Sequence, residues 1–365
     1  MTALARAAPP AADTAAAARV MICDDSLVIR GAIARMLESD PAIRVVAKVS
    51  NGRAAIEELG RTRVDVVVLD IEMPVLDGMA ALPLLLRADP GLRVIMASTL
   101  TTRGADIAMR ALRLGAADYV PKPSSVGTGG DDAFRREIIE KVKGLARLRR
   151  RPQAAGAQPP TTRLALRPPP RMPPRLLAIG SSTGGPQALF SLFQGLGRGL
   201  DVPVVLTQHM PATFTPILAE HITRLGAMPC HEAQDGEPLR PGRIYLAPGD
   251  RHLLVGAGKS GLHAQLSTSP PENYCRPSVD PMLRSATEAC DGRILIAMLT
   301  GMGHDGLAGT RQAIAAGAAA IAQDEATSVV WGMPGAIAQA GLCHAVLPLP
   351  ALAPKLLDLL RSKRA

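Results

Sequence analysis

The sequence predicts an α/β protein of two domains in series, each a doubly wound parallel sheet. Three observations predict it. Residues 19–147 alternate five short apolar runs with helical patterns, and residues 175–365 begin a second such series. Between them, residues 148–174 are basic and proline-rich, as in Arg167-Pro-Pro-Pro-Arg171-Met-Pro-Pro-Arg175, which reads as a solvated, partly extended linker. A chain of 365 residues is long enough for two ordinary domains.

In the first domain the spacing predicts strands at 20–23, 43–49, 64–69, 92–97 and 118–121, with a last helix over 131–148. In such a sheet the chemistry lies at the carboxyl ends of the strands. Asp24 and Asp25 follow the first strand, Asp70 ends the third, Ser98 and Thr99 follow the fourth, and Lys122 follows the fifth. One acidic residue after a strand is ordinarily a helix cap; three carboxylates, a hydroxyl and a lysine at one edge form a five-part constellation. Three carboxylates together repel, and a hard cation such as Mg²⁺ would relieve that.

In the second domain strands are expected at 176–179, 202–207, 294–299, 318–322 and 343–347. Helices should start near Pro186, Thr215, Val279, Asp305 and Pro334. Segments 242–247, 252–255 and 262–266 read as a small antiparallel excursion with glycine turns. Gly180-Ser181-Ser182-Thr183-Gly184-Gly185-Pro186 directly follows the first of these strands. Residues 180–184 fit G-x-S-x-G, an elbow that lifts a serine hydroxyl above a sheet. The turn could equally be a steric strand-to-helix connection or a phosphate cradle.

A serine nucleophile needs a base, and the base an orienting carboxylate. His209 follows the second strand in Gln208-His209-Met210-Pro211, and Asp305 follows the third in Thr300-Gly301-Met302-Gly303-His304-Asp305-Gly306. A parallel sheet would bring Ser182, His209 and Asp305 to one edge. The glycines at 301, 303 and 306 would let the Met302 N–H approach an oxyanion. The bland alternative is a loose loop whose Asp305 caps the next helix. His304 is a rival base, although a sequence neighbour of Asp305 rarely points at the same target. His344 falls inside an expected strand, His221 reads as an exposed helix residue, and His231, His252 and His263 fall in the antiparallel excursion without metal spacing.

Composition narrows the function. Ten Lys and Arg and no Asp or Glu fall between Lys141 and Arg175, which accounts for the whole net charge of +9. Both domains are therefore near neutral, which argues against nucleic-acid binding. The five cysteines form no CxxC pair, so neither a zinc site nor a disulfide framework is expected. Cys23, at a strand end, reads as a small core residue. No apolar run is long enough to span a membrane. Residues 1–18 are Ala/Pro-rich without a signal peptide's apolar core, and read as a disordered tail on a cytoplasmic protein.

Residues 19–147 resemble a flavodoxin-like two-component receiver domain. The resemblance implies that Asp70, in Leu69-Asp70-Ile71-Glu72-Met73-Pro74, accepts the phosphoryl group. It further implies Mg²⁺ held by Asp25, Asp70 and the Glu72 carbonyl with Asp24 alongside, and switch roles for Ser98, Tyr119 and Lys122. Residues 175–365 resemble the catalytic domain of the CheB family of chemotaxis methylesterases and glutamine deamidases. That resemblance rests on Ile-Gly-Ser-Ser182-Thr-Gly-Gly-Pro, Gln-His209-Met-Pro and Thr-Gly-Met302-Gly-His-Asp305-Gly. It implies Ser182 as nucleophile, His209 as general base and acid, Asp305 as orienting carboxylate, and the Met302 and Thr183 N–H groups as oxyanion donors, with no cofactor for hydrolysis. The implied substrates are methyl-accepting chemotaxis receptors and the implied kinase is the CheA histidine kinase. The unphosphorylated receiver is expected to cover the Ser182 cleft, with contacts near Ser98 and Tyr119. Two other readings stay open: a related serine hydrolase with another substrate, and a nonhydrolytic output domain.

Overall fold

A computed structural model describes residues 17–98, 101–122, 131–150, 165–170, 172–226, 228–259 and 261–361. Most of the expected tail, Thr99, and residues 151–164 and Arg171 of the expected linker lie outside the described residues.

The first domain runs β1 (Ala18–Cys23), α1 (Leu27–Glu38), β2 (Ile43–Val49), α2 (Gly52–Leu59), β3 (Val66–Asp70), α3 (Gly78–Ala88), β4 (Arg93–Ser98), α4 (Thr102–Arg113), β5 (Asp118–Pro121) and α5 (Asp131–Arg150). Its five strands are parallel in the order β2-β1-β3-β4-β5. The central strands are apolar on both faces, as helices on either side require: Val66, Val67 and Leu69 of β3 are wholly buried. Strand order reverses between β1 and β3, which opens a crevice at their carboxyl ends. Asp24, Asp25 and Asp70 stand there. Side-chain caps fix the helices that follow: Ser26 accepts from the Ile29 N–H and Asp77 from the Ala80 N–H.

The second domain runs β6 (Leu176–Ser181), α6 (Gly185–Leu196), β7 (Val204–Gln208), α7 (Thr215–Arg224), β8 (Cys230–Glu232), β9 (Ile244–Leu246), β10 (His252–Gly258), β11 (Gly261–Ser267), α8 (Val279–Ala289), β12 (Ile294–Met298), α9 (Leu307–Ala315), β13 (Ala319–Gln323), α10 (Met333–Gln339), β14 (Ala345–Leu347) and α11 (Leu349–Arg361). Seven strands form one sheet, β14-β13-β12-β6-β7-β9-β8, parallel at every pairing. The chain builds from β6 outward to one side and then returns to lay β12 on the other. The switch point is thus between β6 and β12.

Several expectations are corrected here. Segment 242–247 is not part of an antiparallel excursion: Ile244–Leu246 joins the main sheet beside β7, and only β10 and β11 pair antiparallel. His231 accordingly lies in β8 of that sheet. The next-to-last helix of the expected set starts at Leu307 rather than Asp305, its N-cap being Gly306 at φ 88°. β1 begins at Ala18, inside the stretch read as tail. The basic stretch is only partly solvated linker. α5 carries it to Arg150, and Lys141, Lys143, Arg147, Arg149 and Arg150 pair with Asp118, Asp40, Glu325, Asp89 and Asp65. Further on, the Arg167 N–H donates to the Cys343 carbonyl and its Nε to Gly341, while its carbonyl meets His344 Nδ1 at 2.9 Å. His344 therefore fastens this segment to the second domain, one residue before β14.

The two domains share a continuous apolar core. Tyr119, the second residue of β5, stacks on Phe214 of the second domain with ring centroids 4.7 Å apart. His221 is corrected as well: it is buried, because helix α4 of the first domain covers that face of α7, and its Nε2 lies 3.4 Å from Asp106 Oδ1. Gln187 of α6 donates to the carbonyls of Leu112 and Ala116. Val329 packs among the α5 side chains, and a Cβ added at Gly144 would lie 2.1 Å from the Val329 carbonyl oxygen. Gly144→Ala should therefore raise the intrinsic stability of α5 by about 1 kcal/mol yet disturb the domain contact. The expected outcome is two separate melting transitions where the parent shows one, measured by calorimetry at equal concentration.

Candidate functional site

The acidic crevice of the first domain is compact. Ligand oxygens of Asp24, Asp25 and Asp70 lie within 4.8 Å of one another. Lys122 Nζ sits 2.7 Å from Asp70 Oδ1 and 2.9 Å from Asp24 Oδ2. Burial raises the pKa of Asp70, an effect that Lys122 only partly offsets, while Lys122 itself is held charged by the two carboxylates against its own burial. Three hard oxygen donors around a lysine suit an octahedral cation that keeps several waters. Ser98 is buried at the end of β4, and its carbonyl accepts the Lys122 N–H at 2.6 Å. A cavity of about 250 Å³ is lined by Asp25, Asp70, Glu72, Ser98 and Lys122. Glu72 is exposed at its mouth. Cys23 is buried, with its thiol pushed up to about 12 chiefly by burial.

In the second domain, β6, β7 and β12 are adjacent, so Ser182, His209 and the 300–306 loop emerge side by side. The turn at Ser182 needs its glycines for space. Gly184 has φ 74°, and a Cβ on Gly185 would lie 1.9 Å from Gln208 Oε1. A Cβ on Gly301 would come within 3.0 Å of the Ser182 Cβ. The Ser182 N–H donates to the Thr300 carbonyl at 3.0 Å. Gln208, which sequence reasoning missed, ties the two strand ends: it accepts from Ser181 Oγ at 2.7 Å and donates to the carbonyls of Ser182 and His209.

His209 Nε2 lies 2.7 Å from Asp305 Oδ2. Asp305 does not cap its own helix. It accepts from the N–H groups of Val279, Asp280 and Gly306, from Ser278 Oγ and from Asn273 Nδ2. Burial would raise its pKa; the His209 contact and these donors outweigh that and hold it well below the usual carboxylate range. Burial alone would lower the pKa of His209, and Asp305 together with the Cys275 sulfur raises it to about 10. The other ring nitrogen, Nδ1, lies 3.4 Å from Cys275 Sγ. Among the described residues no hydrogen bond joins Ser182 Oγ to His209, so the structure forms the His–Asp pair and leaves the serine beside it. The N–H groups of Thr183 and Met302 donate to no group among the described residues. His304 is exposed.

The run Glu272–Asp280, also missed, supports the pair. Glu272 and Cys275 exchange both backbone hydrogen bonds, and the two residues between them, Asn273 and Tyr274, have φ of 52° and 62°. For a residue as bulky as Tyr274 this conformation costs about 1–2 kcal/mol. Its signal in the sequence is a polar cluster, Asn273 to Asp280, ahead of a helix.

The first domain reaches this site. Asp118 Oδ2 accepts the Gly184 N–H at 3.0 Å, two residues from Ser182. Asp118 is buried beside Lys141, and burial raises its pKa against the lysine's pull.

Two family models match: "Response regulator receiver domain" over residues 20–128 and "CheB methylesterase" over residues 177–356. A protein of Rhodospirillum centenum named protein-glutamate methylesterase/protein-glutamine glutaminase of group 2 operon is 54% identical, with 92% of each chain covered. The chain belongs to the CheB methylesterase family. A protein of Azospirillum brasilense named protein-glutamate methylesterase/protein-glutamine glutaminase is 53% identical, over 92% of this chain and 91% of its own. The solved Thermotoga maritima CheB methylesterase catalytic domain is 37% identical with a TM-score of 0.50, over 52% of this chain and all of that one. Among the described residues no helix is long and apolar enough to cross a membrane.

The coupled pair in the CheB-family site fixes a pH dependence. The raised His209 pKa gives stability that is full below its unfolded value near 6.5 and lost as pH rises toward about 10. The depressed Asp305 pKa gives stability present above its unfolded value near 3.8 and lost on acidification. Melting temperature should therefore fall between pH 6.5 and 10, and Asp305→Asn should flatten that slope, as calorimetry across the range would show.

Proposed function

We propose that the chain is a phosphorylation-activated serine hydrolase that demethylates glutamate γ-methyl esters on methyl-accepting chemotaxis receptors and deamidates glutamines there. On this reading residues 19–147 are the receiver, 148–174 the linker and 175–365 the catalytic unit. The observation that carries it is the buried His209–Asp305 pair one strand from Ser182, in a chain whose receiver contacts the Ser182 turn.

Because Asp305 holds Nε2, Nδ1 is the nitrogen left to take the Ser182 proton. Ser182 Oγ then attacks the ester carbonyl. The tetrahedral oxyanion is received by the N–H groups of Thr183 and Met302, which have no competing acceptor among the described residues. His209 returns the proton to the departing methanol, or to ammonia from a glutamine, and then activates a water that releases the free glutamate. With Nδ1 3.4 Å from Cys275 Sγ and no hydrogen bond to Ser182 Oγ among the described residues, the closed arrangement suits a resting enzyme. The step needs only these side chains.

Asp70 is the proposed phosphoryl acceptor, with the CheA histidine kinase as donor. Asp24, Asp25, Asp70 and the Glu72 carbonyl would hold Mg²⁺, which when bound would neutralise phosphoryl oxygens in transfer. Lys122 pairs with the same charge, and Ser98 is placed to hydrogen-bond the product. Tyr119, stacked on Phe214, is the aromatic through which a change at Asp70 would reach the interface. Tenfold activation requires about 1.4 kcal/mol of differential docking, a few contacts' worth. The reading places the enzyme in the cytoplasm, with neither nucleic acid nor membrane insertion in its function.

Ser182→Ala should abolish receptor demethylation without unfolding the chain, and His209→Ala should cost a comparable factor, on the order of 10⁴ in kcat. Asp305→Asn should cost no more than these. Methanol release from methylated receptor measures all three; near-normal turnover by Ser182→Ala would sink the assignment. A covalent serine probe that fails to label Ser182 would favour a nonhydrolytic output domain. Asp70→Asn should lose beryllofluoride binding and phosphodonor activation while keeping basal hydrolysis; full labelling in that variant would place the acceptor elsewhere. A fragment of residues 175–365 should outpace the unphosphorylated full chain and ignore phosphodonors. A slower fragment would mean that the receiver assists catalysis.

A further inference from the structure

The turn between Glu272 and Cys275 is built in a way its local sequence does not favour. Two exchanged backbone hydrogen bonds around two residues with positive φ are the pattern of a type I′ turn, which calls for Asn or Asp followed by glycine. Asn273 fits. Tyr274 occupies the glycine position at φ 62°. A strained residue persists where the surroundings over-determine it, and they do so here. Asn273 Nδ2 donates to Asp305 Oδ1 at 2.8 Å and to Asp280 Oδ2 at 2.9 Å, Cys275 Sγ lies 3.4 Å from His209 Nδ1, and Glu272 forms a bidentate pair with Arg284. The turn is thus pinned to both members of the His–Asp pair, and the side chain at its tip can only point away from them.

That side chain is fully exposed. Every other Tyr and Phe is buried and Trp331 is partly buried, in a chain with only 2% aromatics. Aromatics this scarce are spent on cores, and one held outward on a strained, rigid tip is placed for a partner. Tyr274 also stays exposed while the receiver is docked, so the receiver is not that partner. A glutamate ester side chain is short, and hydrolysing it at Ser182 brings the helix that bears it across this rim. A tyrosine ring offers a helix surface both apolar area and a hydroxyl, at little cost in conformational entropy.

We propose that Tyr274 is a specificity-determining residue that seats the receptor helix beside the scissile side chain. The inference rests on the assignment of Ser182, His209 and Asp305 as the hydrolytic group. The test uses the full chain activated with Mg²⁺ and a small phosphodonor, on two substrates: a methylated helical receptor fragment and p-nitrophenyl acetate. Glycine suits the turn's backbone, so Tyr274→Gly should melt at or above the parent temperature. It should raise KM for the receptor at least fivefold with little loss of kcat, and lower the ratio of receptor to small-ester kcat/KM at least fivefold. Tyr274→Phe should restore most of that ratio. An unchanged receptor KM in Tyr274→Gly overturns the proposal, as does a parallel fall on both substrates, which would mean that the turn acts only through His209. Hydrolysis of both substrates by Ser182→Ala at the parent rate would instead overturn the hydrolytic assignment, a separate failure with its own readout.

Discussion

The Asp305 carboxylate is the point on which the catalytic half depends. A buried anion is costly unless it is paired and hydrogen-bonded, and this one receives donors from three directions. His209 comes from the end of β7, Asn273 from the strained turn, and Ser278, Val279 and Asp280 from the start of α8. Satisfying one charge therefore fixes the mutual positions of His209, the run 273–280 and the Asp305 loop, which lie apart in sequence. The N–H groups at the start of α8, which have no partner within the helix, supply part of that stabilisation, as helix N-termini do for anions. The imidazole is held by the same charge, so its orientation and its protonation have a common cause.

The second organising contact lies between the domains. Asp118 is buried, next to Lys141, and it reaches the Gly184 N–H at the turn that carries Ser182. Tyr119, adjacent in sequence, stacks on Phe214. β5 thus begins with two neighbouring residues that both touch the catalytic half, and the strand runs on from them to Lys122 in the acidic crevice. A displacement of Lys122 by charge on Asp70 has a path of four residues to the nucleophile's turn. This continuity of chain, more than any long-range network, makes coupling between the two sites physically plain.

Much of this was legible in the sequence. Asp24, Asp25, Asp70, Lys122, Ser182 and His209 stand at the ends of apolar runs, where a parallel sheet must gather them, and glycines mark the turns that need room. What was not legible has tertiary causes. Strands β8 and β9 are three residues each, too short for alternation to register; β9 is held by β7 and β8 by β9 rather than by their own pattern. His221 has the spacing of a surface position, and only docking of α4 buries it. Gln208 and the 273–278 run carry no spacing signal because their partners lie across the sheet. Helical start signals misplaced α9 by two residues, since Asp305 serves α8 instead of its own helix.

The segment at Arg167 has a consequence for how the halves meet. Its bonds to Cys343, Gly341 and His344 fasten the chain to the catalytic half well before β6 begins. Only residues 151–166 then separate this anchor from the end of α5, a reach of at most about 60 Å however they are arranged. A receiver that lets go is thereby confined to a small volume around its docking face, at an effective concentration that dilution of the protein leaves untouched. Release and recapture are set by the chain itself, and the poise between closed and open forms should be the same in a sparse cell as in a crowded one.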